Sequence, residues 1–137
     1  VLTGCGSKME NIKIYSDSKY SSIAANCGSG MANKKLEGII IEKLQKSGVK
    51  FGDDLRIDCS DLSFDEGNRF ARWMLPGAGS AKASVNIKIL DKSSKMIATF
   101  DTSATMGMGV FGGDADGVFE YLADEIVKQT INNFYTK

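Results

Sequence analysis

Apolar and polar side chains alternate one for one over residues 84–90, where Val85, Ile87 and Ile89 stand between Ser84, Asn86 and Lys88. That period of two is the mark of a strand with one face on a core. It recurs over 11–16, through Ile12 and Ile14, and over 55–60, where Leu55, Ile57 and Cys59 alternate with Arg56, Asp58 and Ser60. Residues 96–103 follow the clearest strand after Asp91-Lys92-Ser93-Ser94-Lys95, which predicts a hairpin with a five-residue loop. The period becomes helical over 31–47, with Leu36, Ile39, Ile40 and Leu44 on one side, Ser29 as candidate N-cap and Gly48 as the stop. A second helix is predicted over 116–134. Its stripe is Val118, Leu122 and Ile126, widened by Phe119, Ala123, Val127, Ile131 and Phe134.

The remaining segments read as connections. Residues 17–30 are rich in Ser, Asn, Gly and Lys and read as a loop or an irregular edge. Residues 67–76, with Phe70, Trp73 and Met74 before Pro76-Gly77, fit a short helix or an ordered loop. Residues 106–113 form a glycine-rich loop carrying Met108 and Phe111. The expected order is β-α-β-(short helix)-β-β-α, an α/β (α+β) two-layer sandwich. Its mixed sheet has about four or five strands, with both long helices on one face.

Composition narrows the function. The chain has 137 residues, enough for one self-sufficient core, and its 25% charged and 42% hydrophobic content is globular. Seventeen basic and seventeen acidic side chains cancel, which argues against a nucleic-acid binder relying on phosphate neutralisation. Histidine is absent, so Ser-His-Asp and Cys-His catalysis and the usual zinc and non-haem iron sites are excluded. No cofactor is expected.

Leu2-Thr3-Gly4-Cys5 matches a lipobox, the site at which a bacterial signal peptide is cut before a lipid-modified cysteine. A large apolar residue ends the membrane-buried helix, small residues admit the peptidase, and the Cys5 thiol takes the acyl-bearing group. Several acyl chains (palmitate among them) hold a protein on a membrane where one binds only marginally. Residues 1–4 are then the remnant of a signal peptide, 5–10 a lipid-anchored linker and 11–137 a single domain. The longest apolar run, Ile39-Ile40-Ile41, is far short of the roughly 20 residues that span a bilayer, so the membrane is reached through lipid on Cys5. Gly6, where an aspartate would retain a Gram-negative lipoprotein, points to the outer membrane facing the periplasm. Cys27 and Cys59 then remain as an even pair in a compartment that permits a disulfide. The alternative is that Cys59 is a core residue in register with Leu55 and Ile57, and Cys27 a loop cysteine.

Chemistry-bearing candidates are few. Gly77, Gly79 and Ser80 form a turn near Arg69 and Arg72 that could hold an anion, although a strand rather than a helix follows it. Asp114-Ala115-Asp116-Gly117 opens like a calcium loop but lacks the later ligands, and helix capping explains it better. Asp53, Asp54, Asp58, Asp61, Asp65 and Glu66 gather around the second strand. Acid catalysis needs a pair of such groups fixed in a cleft, and solvated strand edges are the commoner home for them. Arg69, Arg72, Trp73, Met108 and Phe111 are candidate partner contacts.

Gly67-Asn68-Arg69, Arg72-Trp73, Gly77 to Lys82 and the strand from Val85 to Asp91 resemble a family of small bacterial lipoproteins catalogued as a domain of unknown function. The element order also resembles the TolB amino-terminal domain and curli-secretion-type periplasmic lipoproteins, a likeness of fold that carries no activity. The expectation is a lipid-anchored envelope protein that binds or assembles another envelope protein and is not an enzyme. The alternative is an envelope hydrolase or small-anion-binding protein using Asp and Arg residues. The precursor should incorporate a palmitate analogue, and Cys5→Ser should abolish the label; undiminished labelling of that variant would remove the anchor.

Overall fold

The computed structural model describes residues 5–65, 81–106 and 117–136. In chain order the elements are β1 (Cys5–Ile14), β2 (Ile23–Asn26), α1 (Met31–Lys46), β3 (Leu55–Asp65), β4 (Ala81–Asp91), β5 (Met96–Met106) and α2 (Gly117–Phe134). The five strands form one sheet in the order β1-β5-β4-β3-β2. β2 runs parallel to β3, and the other neighbouring pairs are antiparallel. α1 packs on β2 and β3, while α2 packs on β1, β4, β5 and α1. The fold is a two-layer α+β sandwich with a mixed sheet.

Several expectations need correction. Residues 5–10, expected as a linker, are the first half of β1, paired from Cys5 opposite Met106 to Glu10 opposite Asp101. Their sequence is polar, but the open edge of β5 offers a full row of backbone partners, and pairing overrides weak propensity. Of the loop or irregular edge expected over 17–30, residues 23–26 form the short edge strand β2, whose four residues are too few to reveal a period. Ser29 does not cap α1: Gly30 is the N-cap and no side chain bonds there. Residues 67–76 and the candidate caps Asp114 and Asp116 lie outside the described residues, as does the 106–113 loop beyond Met106.

One face of the sheet is apolar because the strands alternate along their regular stretches. Leu55 and Ile57, then Ala83, Val85, Ile87 and Ile89, then Ala98, Phe100 and Ala104 are buried beneath the helices. α1 adds Leu36, Ile40 and Leu44; α2 adds Val118, Phe119, Leu122 and Ile126. Three irregularities keep this face in phase. Asn11 (φ 54°) and Asp61 (φ 53°) take left-handed conformations at shifts in the β1–β5 and β3–β4 registers. Past Asp61 the inward side passes from Leu55, Ile57 and Cys59 to Leu62 and Phe64, which pack against the core. Phe64 meets Phe119 with ring centroids 4.8 Å apart. In β5, Ile97 is an extra residue between the pairs Leu90–Met96 and Ile89–Ala98, so Ile97 and Ala98 are both buried.

Local chemistry fixes the ends of α1. Gly48, at φ 76°, closes it: its N–H donates to Gln45 and that of Val49 to Leu44, at 3.0 and 3.1 Å. This is the paired arrangement that satisfies terminal carbonyls. At the other end Asn33 donates to the Cys27 carbonyl at 2.7 Å and Glu37 accepts the Cys27 N–H at 2.9 Å. Cys27 follows β2 directly, where the parallel register pairs Asn26 with Asp58, and it is bridged to Cys59 across a Cα separation of 4.4 Å. The disulfide thus pins the short edge strand to β3. Replacing both cysteines by alanine should lower unfolding free energy by about 3–4 kcal/mol from loop entropy alone, read from the urea midpoint.

Candidate functional site

The face of the sheet away from the helices is polar. β3 contributes Arg56, Asp58 and Ser60, β4 contributes Ser84, Asn86 and Lys88, and β5 contributes Thr99, Asp101 and Ser103, all at least partly exposed. At its centre Asp101 accepts from Asn86 Nδ2 at 2.9 Å and from Asn11 Nδ2 at 2.7 Å. Ser60 Oγ donates to Asn86 Oδ1 at 3.1 Å, so the chain of bonds crosses four strands. The amides of Asn86, first, and Asn11 hold the Asp101 carboxyl below its ordinary value of 3.8, against a smaller desolvation effect. Glu10, Asp61, Ser84, Asn86, Asp101 and Ser103 line an open depression of about 300 Å³ here.

Of the acids expected around β3, Asp61 lines this depression, Asp53, Asp54 and Asp58 disperse, and Glu66 lies outside the described residues. Arg56 Nε donates to Asp58 at 2.7 Å, Ser21 Oγ donates to Asp54 at 3.0 Å, and Asp53 lies 4.0 Å from Lys92. Among the described residues no group of three His, Cys, Asp or Glu side chains could hold a metal ion. A groove of about 520 Å³ between the helices is lined by Lys43, Lys46, Lys128 and Asp124. Its most enclosed cation, Lys43, is committed: it pairs with Asp124 at 2.8 Å and Glu120 at 3.1 Å. Those bonds, Asp124 first, raise its pKa above 10.5.

Of the residues singled out in the sequence, Cys5 opens β1, and Cys27 and Cys59 form the bridge. Arg69, Arg72, Trp73, Gly77, Gly79, Ser80, Met108 and Phe111 lie outside the described residues. The Asp101 centre was missed. Its legible signal was the outward parity of Asn86 and Asp101 within their strands; the extra residue at Ile97, which brings them opposite each other, had none.

The sheet edges are the other distinctive surfaces. β1 is a ten-residue edge strand with Ile12 and Ile14 exposed, followed by exposed Tyr15. At the far edge Phe51 bridges to Ile23 of β2 and is also exposed.

The family model described as Domain of unknown function (DUF4410) matches residues 24–110, from within β2 to beyond β5. The chain belongs to this family. The span common to DUF4410 thus includes β3, β4, β5, the bridged cysteines and the stretch from Gly67 to Lys82, which carried the resemblance in the sequence. No curated protein matches the sequence.

Among solved structures, the PelC dodecamer from Paraburkholderia phytofirmans aligns at a TM-score of 0.58 and 11% identity, over 96% of this chain and 99% of that one. A variant of the same dodecamer in another crystal form aligns at 0.54 and 11%, over 88% and 95%. A Caulobacter crescentus protein aligns at 0.43 and 16%, over 80% and 84%, too loosely to carry an argument. The PelC likeness is of fold.

Because the Asp101 carboxyl is held low in the folded DUF4410 domain, its bonds stabilise the fold above about pH 4 and are lost as pH falls through the folded value. A carboxyl-carbon NMR titration should find Asp101 below the ordinary aspartate value, and Asp101→Asn should flatten the acid limb of the stability curve. A titration at the ordinary aspartate value would contradict the network.

Proposed function

We propose that this DUF4410 protein is a lipid-anchored module of the bacterial cell envelope, held on the outer membrane facing the periplasm, that acts by assembly and contact. The observation that carries the reading is the end-to-end likeness to PelC, whose crystal structures are of a dodecamer. Nearly the whole of each chain is covered, so the likeness extends over the whole sandwich rather than one part of it. The lipobox supplies the anchor, and because Cys5 is the first residue of β1, acyl chains there hold one end of the sheet near the bilayer surface.

Contact rather than catalysis is favoured by the chemistry of the polar face. A general acid or base near neutral pH needs its pKa close to the operating pH. The Asp101 carboxyl is displaced the other way, and two amides occupy its oxygens. The partners are further copies of this chain and another membrane-proximal envelope protein.

Full-length protein extracted from membranes in mild detergent should sediment as an oligomer, and in intact cells it should cross-link within the envelope fraction. A monomer at micromolar concentration would overturn the assembly reading. Turnover on an envelope substrate that Asp101→Ala abolishes without unfolding would overturn the contact reading.

A further inference from the structure

The sheet has two unlike edges, and both expose apolar side chains at one level of the structure. Ile12, Ile14 and Tyr15 on the β1 edge are 53%, 50% and 58% exposed. The register sets Ile14 opposite Ala98, and Ala98 faces the helix side, so Ile12 and Ile14 are turned toward the core layer but lie beyond its cover. At the other edge Phe51 is 43% exposed. Its backbone brackets β2 from outside, where the Ile23 N–H donates to Lys50 and the Gly52 N–H to Ile23, at 3.0 and 3.3 Å.

The ladder fixes the relative height of the two patches. One row runs Ile14, Ala98, Ile89, Ile57, Ala25. Tyr15 is one residue below that row, with its N–H donating to Ile97. Ile23, and Phe51 with it, is two residues below the row at the opposite edge. Tyr15 and Phe51 therefore differ in height by about one strand residue, roughly 3 Å. A sideways shift of the molecule by its own sheet width brings Phe51 of one copy beside Ile14 and Tyr15 of the next.

The direction and charge of the edges agree with this contact. β1 runs opposite to β3, and β2 and the Phe51 segment run with β3. The abutting edges are thus antiparallel, the commoner pairing. Exposed Lys13 lies between Ile12 and Ile14, while exposed Asp53 and half-buried Asp54 follow Phe51, so opposite charges flank the apolar contact.

We infer that a second copy of this chain docks head to tail, the Ile12–Ile14–Tyr15 edge of one protomer against the Phe51 edge of its neighbour, so that copies repeat side by side. This rests on the lipid-anchored assembly reading, which also chooses between the available symmetries. Two β1 edges paired antiparallel about a two-fold axis would send their Cys5 ends in opposite directions, and only one could reach the membrane. Side-by-side repetition keeps every Cys5 end on the same side, and an unlike contact of this kind closes into a ring when its rotation allows.

The test uses full-length protein in membranes with Tyr15→Cys, Phe51→Cys and the double variant, treated with a short bismaleimide so that the Cys27–Cys59 bridge is not shuffled. The double variant should yield a ladder of dimers, trimers and higher species, and each single variant alone none. The two single variants co-expressed should stop at dimers. Ile14→Lys should raise the dissociation constant of assembly roughly tenfold or more, as expected for losing one buried aliphatic side chain. Dimers from Tyr15→Cys alone would replace the head-to-tail contact by a two-fold one and overturn the proposal. An unlinked double variant that still sediments as an oligomer would overturn this surface while leaving assembly standing. A double variant that sediments as a monomer, like the unmodified protein, would overturn both.

Discussion

The sheet is covered on one side only, and everything else follows from keeping that side apolar in every strand. A one-residue slip in any strand would turn its core residues to solvent and its polar residues inward. The chain avoids this through three local irregularities: left-handed Asn11, left-handed Asp61 and the extra residue at Ile97. Each resets the parity of a long strand as the sheet twists beneath the helices. The shift at Asp61 delivers Phe64 to Phe119, and the one at Ile97 buries two consecutive side chains of β5 where alternation would bury one.

The same constraint creates the polar face. Residues excluded from the core by parity gather on the uncovered side, and the register sets Ser60, Asn86, Asp101 and Asn11 within bonding distance across neighbouring strands. The network is a consequence of phase: Asn11 serves both as the residue that tolerates the left-handed turn and as a donor to Asp101. A carboxylate so held is suited to fixing the strands against one another.

The edges are where the fold is incomplete. β2 is short, clamped by the disulfide and bracketed by residues 50–52. β1 is long and ends in exposed aliphatic side chains. The crossing from one edge to the other is pinned at Tyr20, whose N–H donates to Phe134 and whose carbonyl accepts from Thr136, at 2.7 and 2.8 Å. Both edge patches therefore sit on a braced scaffold at the end of the sheet opposite Cys5. The proposed anchor at Cys5 and the exposed apolar edges toward the other end are compatible with the side-by-side assembly proposed above.

Local pattern alone determined the two helices, the central hairpin and the one-sided packing of the layers. Leu36, Ile40 and Leu44, or Val85, Ile87 and Ile89, state their period within a few residues, and Gly48 announces its own left-handed turn. The match of Leu2-Thr3-Gly4-Cys5 to a lipobox, on which the proposed anchor rests, is equally local. What only the tertiary structure decided were relations between segments distant in sequence. The polar run from Cys5 to Glu10 became a strand because β5 left an edge to fill, and β2 became one because β3 accepted it in parallel register. The Cys27–Cys59 bridge, left open against a core-and-loop alternative, depends on that register. So does the Asp101 centre, because a five-residue hairpin loop without the extra Ile97 would set Asn86 opposite Phe100 instead. Periodicity tells a strand which way its side chains face; it does not tell the strand which neighbour it will have, or at what offset.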